Sequence, residues 1–91
     1  MQTISLAPRL DLSQASPLAS ALRDATGTDL VLDASEVTHL GGLAVQVLAS
    51  AASTARAAGT SFTITPRSEA FDEALGLFGL APGDLQTGEA A

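Results

Sequence analysis

The residues whose types and spacing could do chemistry are few, and they gather between Asp33 and Gly42 of this 91-residue chain. Gly41 and Gly42 stand directly before an Ala-rich stretch with helical periodicity, so a helix would open there with bare main-chain amides. Free N–H groups at the positive end of a helix dipole favour an anion or a phosphorylated side chain of a partner. The competing reading is that glycine permits an unusual backbone angle or close packing. No Lys accompanies the pair, so it is not a nucleotide-binding P-loop. His39, the sole imidazole, adjoins the turn as a loop residue with no second ligand nearby in sequence. Ser35 and Thr38 are the nearest hydroxyls and could be phosphorylated. Asp33 with Glu36 could form an acid/base pair or hold magnesium. No third carboxylate is spaced to help, and an Asp here more often ends a strand and accepts from loop amides. One His, no Cys and unconnected serines cannot make a nucleophile, base and orienting group, so neither an enzyme, a metal nor a cofactor is expected.

Positioning these residues requires a strand, a loop and a helix. Leu30-Val31-Leu32 is an unalternating aliphatic run, which predicts a central strand buried on both faces or nearly so. Leu43, Val47, Ala51, Ala55 and Ala58, with Ala44 and Leu48 beside them, predict a helix over about 43–58 with one broad apolar stripe, stopped by Gly59. Gln46, Ser50, Ser53, Thr54 and Arg56 fall on its outer side. Upstream, the runs about Ile4 and Leu6 and at Leu10-Asp11-Leu12 predict two short strands pairing across Ala7-Pro8. A helix over about 14–25 follows, capped by Ser13 or Ser16, with Pro17 at its start and Leu18, Leu22 and Ala25 on one face. Downstream, Thr60 to Thr65 alternates as a strand until Pro66. Ser68 then opens a helix whose inner face carries Phe71, Leu75 and Phe78, and Gly79 ends it. Residues 81–91 are poor in bulky apolar side chains and read as a loose tail after a domain spanning 1–80. The order β-β-α-β-α-β-α predicts an α/β fold with helices on one face of a small mixed sheet of four to five strands. A second copy of the chain could close the other face as a homodimer.

Composition narrows the partners. The net charge of −6, carried against four Arg and no Lys, excludes the positive footprint that nucleic acid or an anionic bilayer requires. Basic or neutral protein surfaces suit it. Aromatics are 3% of residues, so the core must be packed by Ala, Leu and Val. The N-terminus shows no secretory leader and no apolar run approaches a membrane span, so a cytoplasmic protein is expected.

The ordered set of elements from Leu10-Asp11-Leu12 to Gly79-Leu80 resembles the STAS domain found in anti-sigma-factor antagonists and bacterial signalling proteins. The resemblance rests on Asp33 closing a strand, the loop 34–40, the helix ended by Gly59, the strand from Phe62 to Thr65, and Leu77-Phe78-Gly79-Leu80. It implies a non-enzymatic module that docks on a histidine-kinase or anti-sigma-type kinase through Thr38, His39, Leu40, Gly41, Gly42, Leu43 and Gln46. Counting from Asp33, the family's acidic residue falls on Gly41 and its phosphorylated hydroxyl on Gly42, so the usual phosphorylation site is lost. Placing His39 and Leu40 at those positions instead spoils the spacing to Gly59 and supplies no hydroxyl either. Leu40-Gly41-Gly42 ahead of Gln46-Val47-Leu48 also resembles chemotaxis-associated STAS proteins, and STAS subunits of lipid-transport ATPase complexes share the spacing. A transporter ATPase is therefore the alternative partner, and a small-anion or nucleotide sensor a further alternative.

Overall fold

A computed structural model describes residues 2–25 and 27–86. Five strands and three helices follow in the order β1 (Gln2–Ser5), β2 (Arg9–Leu10), α1 (Leu12–Asp24), β3 (Leu30–Ala34), β4 (His39–Leu40), α2 (Gly42–Ala58), β5 (Phe62–Arg67) and α3 (Glu69–Leu77), and a 3₁₀ turn, Pro82–Leu85, comes last. The chain is α/β with a small sheet, but the strands are arranged otherwise than expected. β1, β3 and β5 form one sheet in that order, β2 and β4 form a second, and every pairing is parallel rather than mixed. β1 and β2 do not pair across Ala7-Pro8. Each instead pairs with a strand beyond α1, β1 with β3 and β2 with β4, and the intervening chain supplies the long crossover that parallel pairing needs.

The register explains the core. Ile4 lies beside Leu32 and Leu32 beside Ile64, so their side chains share one face of the sheet. Leu30, Leu32, Phe62 and Ile64 are buried there, whereas Thr3 is exposed and Val31 and Thr63 are half-buried on the opposite face. β3 is thus fully buried on one side only, and its unalternating sequence overstated the other. The border of β5 away from β3 is closed by polar groups. Gln86 Oε1 accepts from the Ile64 amide at 3.1 Å, and Arg67 donates to the Ile64 carbonyl at 2.7 Å. β5 continues to Arg67 through a cis Thr65–Pro66 bond rather than stopping at Pro66.

α1 starts earlier than expected. Asp11, not Ser13 or Ser16, is the N-cap: its Oδ1 accepts from the Ser13 amide at 3.1 Å and the Ser13 hydroxyl at 2.7 Å. Pro17 falls within the helix, in its second turn. α2 is also rotated from the expected stripe. Ala44, Val45, Leu48 and Ala52 are its buried residues, Val47, Ala51 and Ala55 are partly buried, and Leu43 and Ala58 are exposed. In α3, Ser68 caps as expected, accepting from the Phe71 amide at 3.1 Å. Phe71 and Leu75 are fully buried, but Phe78 is the C-cap and 47% exposed, so it does not share the inner face.

The expected tail from residue 81 does not hold for Ala81–Gln86. Leu85 is 1% exposed and belongs to the core, and Asp84 accepts from the Ala81 amide at 2.8 Å. Residues 87–91 lie outside the described residues.

Candidate functional site

The start of α2 is held by β2. Gly41 is the helix N-cap, and its amide donates to the Leu10 carbonyl at 2.9 Å. The loop before it is tied to the same segment. The Thr38 amide, the Thr38 hydroxyl and the His39 amide all donate to the Pro8 carbonyl, at 2.7, 3.1 and 3.1 Å. The first intrahelical bond runs from the Val45 amide to the Gly41 carbonyl. The amides of Gly42, Leu43 and Ala44 therefore have no acceptor among the described residues. Gly42 and Leu43 are exposed, so two of these donors sit at accessible residues.

The two glycines have different reasons for being there. Neither has a positive φ, since only Gly27, Gly59 and Gly79 do, so an unusual backbone angle is not the cause. A Cβ on Gly41 would come 3.2 Å from the Leu10 carbonyl oxygen, a main-chain atom that shifts only if β2 shifts. Gly41 permits close approach of the helix start to β2. A Cβ on Gly42 would meet the edge of the Phe78 ring at 3.4 Å, an ordinary contact.

Phe78 belongs to an apolar patch. The exposed large hydrophobics among the described residues are Leu12, Leu43, Leu77 and Phe78, at 76%, 46%, 88% and 47%. Leu43 follows Gly42, the Phe78 ring lies against Gly42, and Leu77 adjoins it. Leu12 follows Asp11, whose Cα would lie 3.9 Å from a Cβ on Gly41. Leu43, Leu77 and Phe78 thus flank Gly42, and Leu12 opens the helix that follows β2. Exposed Leu and Phe side chains close to one helix start mark a candidate surface for a partner to cover.

The expected contact residues separate onto two flanks. Thr38, His39 and Leu40 line a concavity of about 340 Å³ against α3, with Glu73, Leu77 and Phe78. Leu43 and Gln46 line a second groove of about 400 Å³ on the other side of α2, against Ala19, Leu22 and Arg23 of α1. Gly41 and Gly42 lie between. Leu40 is 4% exposed, so its side chain serves the core and presents only a small part of itself to the concavity. Leu77 and Phe78 were missed as surface residues. Their one sequence signal was that α3 reaches Gly79 too soon for Phe78 to complete another inward turn.

The carboxylates near the site are structural. Asp33 Oδ1 accepts from the Ser35 hydroxyl at 2.6 Å and the Ser35 amide at 2.9 Å, and these bonds hold its carboxyl below the usual range. Asp11 is lowered likewise, mainly by the Ser13 hydroxyl. The Ser35 hydroxyl is therefore engaged by Asp33. No group of three metal-ligating side chains occurs among the described residues, and no helix there is long and apolar enough to cross a membrane.

Compared with known proteins, residues 1–87 match the family described as Mlab, STAS domain. No curated protein and no solved structure matches the chain.

Proposed function

This chain belongs to the STAS domain family, and from that premise we propose that it is a non-enzymatic interaction module of bacterial signal transduction that docks a protein partner on the start of α2. The observation that supports this is the exposure of Leu43, Leu77 and Phe78 beside an exposed Gly42. Thr38, His39, Gly41, Gly42, Leu43 and Gln46 make up the rest of the surface. Two free main-chain donors, on Gly42 and Leu43, give it polar specificity within an apolar setting. With no hydroxyl at Gly41 or Gly42, the partner is held without a phosphorylation switch at the helix start. A kinase of the histidine-kinase or anti-sigma type is the partner class, and the chain works in the cytoplasm.

The experiment is a comparison of the chain with Gly42→Asp, which places a negative charge at the first helical residue. Its carboxylate suits the helix dipole, so the variant folds. Partners captured by the wild-type chain from a bacterial lysate are lost by the variant. Unchanged capture places docking elsewhere. Phosphate label appearing anywhere between Ser35 and Leu43 after incubation with a cognate kinase overturns the unphosphorylated part.

A second reading is a permanent subunit of a lipid-transport ATPase complex. The apolar character of the patch favours it, because interfaces of permanent assemblies are more hydrophobic than those of transient ones. It is distinguished by co-purification with a transporter ATPase and by a melting temperature that rises in the complex.

A further inference from the structure

We infer that the concavity between β4 and α3 receives a basic amphipathic helix of the partner, with Glu73 facing its cations and Leu77 and Phe78 its apolar side; the inference rests on the docking reading above and adds the partner's chemistry.

The charges on this flank are unbalanced. α3 carries Glu69, Asp72 and Glu73. Asp72 is taken by the Arg67 guanidinium at 2.9 Å. Glu73 lines the concavity and is exposed, and Glu69 lies one turn before it on the same helix face. Neither glutamate has an ion pair among the described residues. No arginine is placed to neutralise them. Arg9 lies 3.9 Å from Asp11, Arg67 is on Asp72, and Arg23 and Arg56 belong to α1 and the last turn of α2. A bare hydrophobic partner would leave Glu73 at the rim without counter-charge, with Glu69 one turn away, and an acidic one would be repelled.

The geometry selects a helix over an extended segment. β4 is two residues long and leads into α2 after Gly41, so it offers no length for an added strand. Recognition must go through side chains, and an apolar patch beside an acidic rim is the complement of a helix with Leu or Phe on one face and Lys or Arg at its border. Leu77, at 88% exposure, is the anchor that gains most from being covered.

The test titrates the whole chain, labelled for NMR, with a fourteen-residue leucine–lysine amphipathic peptide and with its leucine–glutamate counterpart, in buffer of physiological ionic strength. The leucine–lysine peptide is expected to perturb Thr38 to Leu43 and Ala70 to Phe78, and the leucine–glutamate peptide to leave them unmoved. Glu73→Gln is expected to weaken the lysine peptide about two- to fivefold, the range for a single exposed ion pair, and to reduce its salt dependence. Leu77→Ser, at a solvated position that leaves the fold intact, is expected to weaken it more than Glu73→Gln does. Equal binding of the two peptides, perturbations confined to other surfaces, or indifference to Glu73→Gln would overturn the inference. Should any of these occur while Gly42→Asp still abolishes partner capture, the docking reading survives and the basic helix does not. If Gly42→Asp is also without effect, both fall.

Discussion

Replacing Gly41 and Gly42 in turn by alanine separates two explanations of the glycine pair. At Gly41 the added methyl group meets the Leu10 carbonyl oxygen at 3.2 Å, and relief requires β2 to move by tenths of an ångström against the 2.9 Å bond from the Gly41 amide. Weakening that bond costs roughly 0.5–1 kcal/mol. Alanine is also a poorer N-cap than glycine, by roughly another 0.5–1 kcal/mol. Against these stands a gain of about 0.4–1 kcal/mol from a stiffer unfolded chain. The net expectation for Gly41→Ala is a loss of about 1 kcal/mol. At Gly42 the methyl group makes an ordinary 3.4 Å contact with the Phe78 ring, the backbone already has a negative φ, and the position is the first of α2. Gly42→Ala should therefore stabilise, by about 0.5 kcal/mol. With a urea dependence of about 1 kcal/mol per molar, the two midpoints separate by roughly 1.5 M. Far-UV circular dichroism is the assay, since the chain has neither Trp nor Tyr. A Gly41→Ala midpoint at or above the wild type, or both variants shifting in one direction, refutes the assignment of Gly41 to close approach and of Gly42 to an open surface.

Other outcomes follow from the same contacts. Phe71→Ala, at a fully buried ring, should cost about 3–5 kcal/mol in urea unfolding, whereas Phe78→Ala should cost about 1 kcal/mol or less; comparable losses would place Phe78 in the core. Ser68→Ala removes the cap of the Phe71 amide and the hydroxyl donated to the buried Val37 carbonyl, so it should cost about 1–2 kcal/mol by the same assay. Asp11 and Asp33 have folded pKa values below the reference of 3.8, so their contribution is complete above that value and is lost as pH falls through the folded ones. An acid titration of the Asp33→Asn variant should show a shallower decline of the urea midpoint below pH 3.8 than the wild type. Parallel declines would remove Asp33 from the acid response.

Residues with a single plausible environment were readable from the chain itself. Ser68 followed by acids could only be a helix start, and Gly59 after an alanine-rich run could only be a helix end. Leu18, Leu22 and Ala25 recur at helical spacing and are all buried. Where a local signal had two meanings, tertiary contact decided. Leu10-Asp11-Leu12 alternates like a strand, yet Leu10 is in β2, Asp11 caps α1 and Leu12 is the solvated first residue of that helix. His39-Leu40 is too short to show a period, and it becomes β4 only because β2 lies alongside. Leu85 stands alone among small and polar residues, so nothing local foretold that it fills the core. At the site, the glycines and the loop were found by type and spacing. The patch was not, because Leu12, Leu43 and Phe78 each fit an apolar stripe, and periodicity does not say which way the stripe faces.

The polar closure beside β5 has a further consequence. Gln86 and Arg67 occupy the amide and carbonyl of Ile64, while the outer side of β1 has no strand next to it among the described residues. At Ile64, then, the main chain of β5 has nothing left to offer a neighbouring strand, so an incoming strand would find its unoccupied amides and carbonyls along β1 instead.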